Sequence, residues 1–262
     1  MFAEERQQAI LQRLREEGRV LAKALAESLG VSADTIRRDL IALEKKGFLK
    51  RTHGGAIPGK KVRSGPLSPA LRYSEGSAAE KAIAKKAAAF IGRDDTVFIG
   101  SARLHYVMLD ELPTSYHFTV VTNSTVIAEK LKARENIDTY VVGGRLRPSG
   151  TIADAIAVDF LRGLRLDICF LTGGGLSAEH GVSTATGDVA VLHRTAAEVA
   201  RRVICLVTHD KLGSEMFARI IPIQEVDVIL TDADAPEDEI QLLRETGAEV
   251  IVVDPEKAGL EA

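Results

Sequence analysis

Leu29-Gly30-Val31-Ser32-Ala33-Asp34-Thr35-Ile36-Arg37-Arg38-Asp39-Leu40 decides how this 262-residue chain is read. Leu21, Leu25 and Leu29 recur at every fourth position and Gly30 follows as a C-cap, so a short helix ends there. Ser32 is placed to cap the next helix, whose apolar stripe is Ile36, Leu40 and Leu43 and whose end is Gly47. Two short helices around such a turn predict a helix-turn-helix. With the stripe packed inward, Ser32, Asp34, Thr35, Arg37 and Arg38 face out near the helix start, the part that recognition helices present to base edges. Arginine bridges guanine O6 and N7, and small hydroxyls reach bases or phosphates. A solvated helical hairpin would carry the same surface residues, so the flanks must decide.

Upstream, Ile10, Leu11 and Leu14 keep helical spacing until Gly18. Downstream, Phe48-Leu49-Lys50-Arg51-Thr52-His53 reads as a strand before the turn signal Gly54-Gly55. Three helices and a hairpin outline a winged helix, with Arg51 and His53 as wing contacts to DNA. Charge agrees. The whole chain has a net charge of −3, but residues 1–65 hold 14 Lys and Arg against 8 Asp and Glu, leaving the remainder strongly acidic.

Residues 58–77 collect Pro58, Gly59, Ser64, Gly65, Pro66, Ser68, Pro69, Gly76 and Ser77, a linker composition. Beyond them helical and strand patterns alternate. Helices are predicted at Ala78–Ile91, Thr125–Ala133, Ala153–Leu164, Asp188–Arg201 and Glu237–Thr246. Strands are predicted at Thr96–Ile99, Phe118–Thr122, Thr139–Val142, Asp167–Leu171, Val203–Val207, Asp227–Leu230 and Glu249–Val252. Near-continuous Val/Ile/Leu strands between helices predict a mostly parallel sheet covered on both faces, a Rossmann-like α/β domain. The expected division is 1–57 for the winged helix-turn-helix, 58–77 for the linker and 78–262 for the α/β domain.

The stretch from Glu5-Arg6 to Arg51-Thr52-His53-Gly54-Gly55-Ala56 closely resembles the N-terminal domain of the DeoR family of bacterial transcription regulators. Val31-Ser32, Thr35-Ile36-Arg37-Arg38-Asp39-Leu40, Leu43-Glu44 and Gly47 carry that resemblance. It implies sequence-specific binding of double-stranded operator DNA through the third helix, with Asp39 pairing locally. A weaker resemblance runs over roughly residues 78–253, on Glu80-Lys81, Ile83-Ala84, Val120-Val121-Thr122-Asn123-Ser124, Val142-Gly143-Gly144-Arg145-Leu146 and Val228-Ile229-Leu230-Thr231-Asp232. It implies an effector-sensing domain similar to ribose-5-phosphate isomerase and coenzyme A transferase folds, sensing a phosphorylated sugar-type metabolite. The whole would be a cytoplasmic repressor of a carbohydrate operon, working as a homodimer or homotetramer.

The implied effector residues are Ser101, Arg103, Thr122, Asn123, Ser124, Gly143, Gly144, Arg145, Gly174, Gly175 and Lys211. Thr122-Asn123-Ser124 ends a strand and opens a helix, where backbone N–H groups meet an anion or where a plain N-cap sits. Three places depart from the family pattern. Its Asp-Ser/Ala-Gly-Thr-Thr loop is Gly100-Ser101-Ala102-Arg103-Leu104 here, with Arg103 able to pair with phosphate or reshape the pocket. Its Asp-Ser-Ser-Lys-Phe-Gly is Thr208-His209-Asp210-Lys211-Leu212-Gly213. The helix residues usually Glu-Ala and lysine are Val189-Ala190 and His193. An altered effector is the expectation.

Other classes find little support. Apolar runs reach five residues (Ala87–Ile91, Val203–Val207), far short of the ~20 that a membrane helix needs. The first residues show no signal-peptide pattern. Cys169 and Cys205 read as buried thiols. The six histidines lack metal-ligand spacing, so neither metal nor cofactor is expected. Gly173-Gly174-Gly175-Leu176-Ser177-Ala178 fits a dinucleotide loop only formally, since a helix is expected where the second strand would be. No G-x-S-x-G marks a nucleophile. The alternative is a sugar-phosphate isomerase or transferase with an accessory DNA-binding module. Asp154, Asp159 and Asp188 are its available carboxylates, and none has a distinguishing context.

Overall fold

A computed structural model describes residues 3–45, 49–52, 54–58, 72–73 and 75–255. The expectations on Gly47, Phe48 and His53, and on most of the linker, lie outside them. The chain divides into two compact units, Met1–Val62 and Arg63–Ala262.

The first unit has helices α1 (Ala3–Glu17), α2 (Ala22–Leu29) and α3 (Ala33–Lys45) and strands β1 (Val20–Leu21), β2 (Leu49–Thr52) and β3 (Gly55–Pro58). Gly30 ends α2 in the left-handed region at φ 64°. Ser32 Oγ accepts the Thr35 N–H at 3.1 Å and so caps α3. Ile36, Leu40 and Leu43 point into one core with Ile10, Leu14, Val20, Leu25, Leu49 and Ala56. The wing is wider than the sequence indicates: β1 joins the hairpin in the antiparallel order β1-β3-β2. Two residues are too short a strand for periodicity to register. A Cβ on Gly55 would lie 1.8 Å from the Val20 carbonyl oxygen, so this crossing requires glycine.

The second unit is built on seven strands in the order β13-β12-β10-β7-β4-β5-β6. They are β4 (Thr96–Ile99), β5 (Phe118–Thr122), β6 (Ile137–Val141), β7 (Leu166–Thr172), β10 (Ala200–Leu206), β12 (Val228–Asp232) and β13 (Glu249–Val253), all paired in parallel. Alternate residues face opposite sides. Val97 and Ile99 pack with α4 (Ala78–Ala88), α5 (Arg103–Met108) and α6 (Thr125–Leu131). Phe98, Cys169 and Cys205 pack with α7 (Ala155–Arg162), α8 (Gly187–Glu198) and α9 (Glu237–Glu245). Both faces are covered, as continuous apolar strands require. Burial pushes both thiols up, Cys205 to about 12.

Several boundaries differ from expectation. The helix expected at Asp188–Arg201 stops at Glu198, because Ala200 already pairs with Leu166 and opens β10. Helix α5 and a small antiparallel sheet of β8 (Gly175–Ser177), β9 (Gly181–Thr184) and β11 (Ala218–Ile221) were not legible in the sequence. The strands are short, and β11 joins the β8-β9 hairpin from more than thirty residues downstream. Among the described residues no helix is long and apolar enough to cross a membrane.

Candidate functional site

In the first unit, the exposed start of α3 is the candidate nucleic-acid surface. Ser32, Asp34, Arg37 and Arg38 are exposed and Thr35 is half-buried. Ser32 Oγ and Thr35 Oγ1 are 2.8 Å apart, so the two hydroxyls are already engaged with each other. Arg38 pairs with Asp34 at 2.8 Å, one turn earlier and largely in solvent. Arg37 has no ion-pair or hydrogen-bond partner among the described residues. Arg51 of β2 is held by Glu44 of α3, through Nε at 2.7 Å and the backbone N–H at 2.8 Å. These bonds hold the Glu44 carboxyl below its usual range. They also tie the wing to the recognition helix.

In the second unit, every implied effector residue lies at or beyond the carboxyl end of a parallel strand, hence at one end of the sheet. Ser101 follows β4 and Arg103 opens α5, Thr122 closes β5 with Asn123 and Ser124 after it, and Gly143-Gly144-Arg145 follow β6. Gly174 and Gly175 follow β7, and Lys211 follows β10. These five strands are contiguous, and the chain direction across the sheet reverses between β4 and β7. In open α/β sheets, ligands bind outside the carboxyl ends of strands at such a reversal.

The local chemistry differs from loop to loop. Arg103 Nε lies 2.7 Å from Glu80 and its Nη2 donates to the Glu75 carbonyl, which ties α5 to α4. Glu80 itself accepts the Ser77 N–H in a capping box. Ser124 Oγ caps α6 through the Ile127 N–H, and the Ser124 N–H donates to Thr122 Oγ1. The Thr125 N–H donates to the Gly150 carbonyl, so the Ser124, Thr125 and Ile127 donors of this turn already have partners. Tyr73 Oη approaches Ser124 Oγ at 3.3 Å.

Asp154, which sequence reasoning left without a role, organises the next loop. Its carboxylate accepts the Arg145 N–H at 2.9 Å and the Ala157 N–H at 3.1 Å, capping α7, and these bonds lower its pKa. Gly144 (φ 137°) leaves no room for a Cβ against that carboxylate. Gly174 and Gly175 are packed against Met216 and the Ser214 backbone, so close approach of chain segments accounts for both glycines.

The histidines depart most from expectation. His105, which follows the altered Gly100–Leu104 loop, lies on α5 and is fully buried. His193 on α8 is 5% exposed. His209 is half-exposed, with Nδ1 2.7 Å from the buried carboxylate of Asp232. His209, Asp232 and Asp234 bring ligand atoms within 4.8 Å of one another, the one cluster among the described residues with a geometry suited to a metal. Asp232 is already saturated by the His209 ring, the His209 N–H and the Asp234 N–H. A separate cleft of about 340 Å³ lies beside Tyr73, Lys81, Tyr106, Asp110 and Lys130, with Lys130 Nζ 4.3 Å above the Tyr106 ring.

A winged helix-turn-helix followed along the chain by a parallel α/β unit with polar loops at its switch point defines a DNA-binding transcription regulator with a sensor domain. Residues 6–61 match the family model of the DeoR-like helix-turn-helix domain, and residues 76–233 that of the DeoR C terminal sensor domain. The chain belongs to the DeoR family. The transcriptional repressor GlcR of Bacillus subtilis (strain 168) is 30% identical over 98% of this chain and 99% of its own. The lactose phosphotransferase system repressor of Staphylococcus aureus (strain NCTC 8325 / PS 47) is 28% identical over 90% of this chain and 95% of its own. Among solved structures, ribose 5 phosphate isomerase A from Neisseria gonorrhoeae gives a TM-score of 0.40 at 12% identity, over 55% of this chain and 56% of that one.

Proposed function

We propose that the protein is a cytoplasmic repressor of a carbohydrate operon whose grip on operator DNA is set by a sugar-type metabolite. Residues 1–57 bind the DNA, 58–77 connect, and 78–262 sense the metabolite. Ser32, Asp34, Thr35, Arg37 and Arg38 enter the major groove, and Arg51 and His53 add the wing contact, His53 being assigned from the sequence. A homodimer or homotetramer presents two such helices to paired half-sites. The observation that carries this reading is the exposed start of α3, where Arg37 stands unpaired among the described residues. Relatives named as a transcriptional repressor and as the lactose phosphotransferase system repressor support it.

The metabolite occupies the loops at the sheet end, drawing on Ser101, Arg103, Thr122, Asn123, Ser124, Gly143, Gly144, Arg145, Gly174, Gly175 and Lys211. A phosphorylated metabolite would place its anion near Lys211. Binding shifts operator affinity through a coupling free energy of ~1–3 kcal/mol. The test is a mobility-shift titration of the purified protein on DNA upstream of its own and neighbouring genes, repeated with a panel of sugars and sugar phosphates. Specific binding that one compound releases supports the proposal. Binding equal to that of unrelated DNA at every salt concentration overturns it.

A further inference from the structure

Helices on opposite faces of the sheet send one side chain each to the tip of β4. His105 comes from α5 and His193 from α8, and they meet over Gly100, the residue that follows the strand. A Cβ there would lie 3.2 Å from His193 Nε2 and 3.3 Å from His105 Nδ1. The His193 ring also packs edge-on against Phe98, at 6.0 Å between centroids. Neither histidine completes a well-formed hydrogen bond at either ring nitrogen among the described residues, although the Gly100 and Phe170 carbonyls lie within reach of the His105 ring. Asn123 Oδ1, after the neighbouring strand β5, is buried and unpartnered as well. Buried polar atoms without partners are rare and costly. Leucine at either position would avoid that cost. Here such atoms converge beside the β4/β7 reversal, where an open parallel sheet places its ligand.

We propose that His105 and His193 are the specificity pair of the effector site and bind hydroxyl groups of the metabolite rather than its anionic group, an inference that rests on the sensor reading above. Each neutral imidazole offers one donor and one acceptor, and a sugar hydroxyl, which both donates and accepts, can meet either. A phosphate dianion only accepts, and would set its lone pairs against the acceptor nitrogens. Protonation would remove that conflict, but the site opposes it. Burial and the neighbouring His193 push His105 down to about 3, although the Gly100 and Phe170 carbonyls lean the other way. Burial and the Arg72 charge push His193 down to about 4. The pair therefore stays neutral at physiological pH, where each ring keeps both a donor and an acceptor for a hydroxyl.

The experiment uses the full chain with hexoses, hexitols, hexosamines and their monophosphates, and inorganic phosphate alone, measured by calorimetry at neutral pH. For whichever compound binds, His105→Leu and His193→Leu are each expected to weaken binding by about tenfold or more, the scale of one lost hydrogen bond to an uncharged group. The melting temperature of these variants is expected to hold or rise, because the apolar side chain removes unpartnered buried nitrogens. Imidazole ¹⁵N resonances of the pair should keep the neutral pattern with ligand bound. Unchanged affinity in both variants, or protonation of either ring on binding, overturns the inference and leaves the sensor reading standing. No binding by any compound of the panel overturns both, a result that the variants alone could not give.

Discussion

Arg6 Nε on α1 lies 2.5 Å from Asp39 Oδ2 on α3, with both side chains shielded from solvent. Arg6 Nη2 reaches the other oxygen at 3.3 Å, and Gln7 Nε2 adds a third donor to the same carboxylate at 3.2 Å. Asp39 is the acidic residue of the Arg37-Arg38-Asp39 run, and its charge would repel phosphate if it faced outward. Turned back onto α1, it fixes the rotation of α3 and raises the Arg6 pKa through the bond between them. Asp39→Asn should therefore lower both melting temperature and operator affinity, whereas Asp34→Asn, in an exposed pair, should leave stability nearly unchanged. Replacing both partners by apolar residues (Arg6→Met with Asp39→Leu) should restore much of the melting temperature. Thermal melts and mobility shifts on the four proteins check this.

The exposed arginines separate by role. Arg37→Ala should cost roughly 1–3 kcal/mol on the cognate operator and little on random DNA, the signature of a base contact. Arg38 already leans on Asp34, so Arg38→Ala should weaken all sequences alike and reduce the salt dependence by about one phosphate contact. Fluorescence anisotropy over a salt series distinguishes the two. Equal losses on specific and random DNA for both variants would refute the groove assignment.

Gly55 and Gly54 look equivalent in sequence and are not so in space. A methyl at Gly55 meets the Val20 carbonyl oxygen at 1.8 Å, whereas at Gly54 nothing lies within 4 Å. Gly55→Ala must separate β1 from β3, and should destabilise the first unit by at least the ~3 kcal/mol that marks the upper range of ordinary substitutions. Gly54→Ala should melt close to the parent protein. Denaturant titration followed by circular dichroism gives the comparison.

Where sequence reasoning succeeded, the information was local. Thr96–Ile99 and Phe118–Thr122 are bounded β-branched runs, and they are strands with those limits. Ser32 and Gly30 are a cap and a stop whose chemistry needs only their neighbours. What escaped depends on distant chain. Ser183 Oγ accepts the Met216 N–H to hold the small sheet, and nothing near Gly175-Leu176-Ser177 announces that bond. The Arg103–Met108 helix is short, and its histidine is inside. The family pattern implied a set of effector residues, and the strands they follow bring them to one sheet end. That pattern could not show that the His105 and His193 rings meet over a glycine, because that contact spans both faces of the sheet.

The same histidines make stability depend on pH in a definite direction. In the unfolded chain each titrates near 6.5, whereas in the folded protein His105 lies at about 3 and His193 at about 4. Between those limits the unfolded chain binds more protons, so unfolding becomes easier as pH falls. The contribution is complete above about pH 6.5 and is lost on acidification toward pH 4. Each tenfold change in proton affinity is worth about 1.4 kcal/mol, so the pair accounts for a few kcal/mol over that window. Asp154 and Asp188 also have lowered pKa values, but a carboxylate contributes acid sensitivity only near and below its ordinary value of 3.8. Glu44, lowered from 4.5, adds its own loss only near the bottom of the range, so the histidines dominate the interval from pH 6.5 to 4.5. Denaturation midpoints measured across it should fall steadily, and His105→Leu with His193→Leu should flatten most of the slope. A parent protein equally stable at pH 4.5 and 6.5 would mean that the rings are not held neutral in the folded state, and would remove the basis for their selectivity toward hydroxyls.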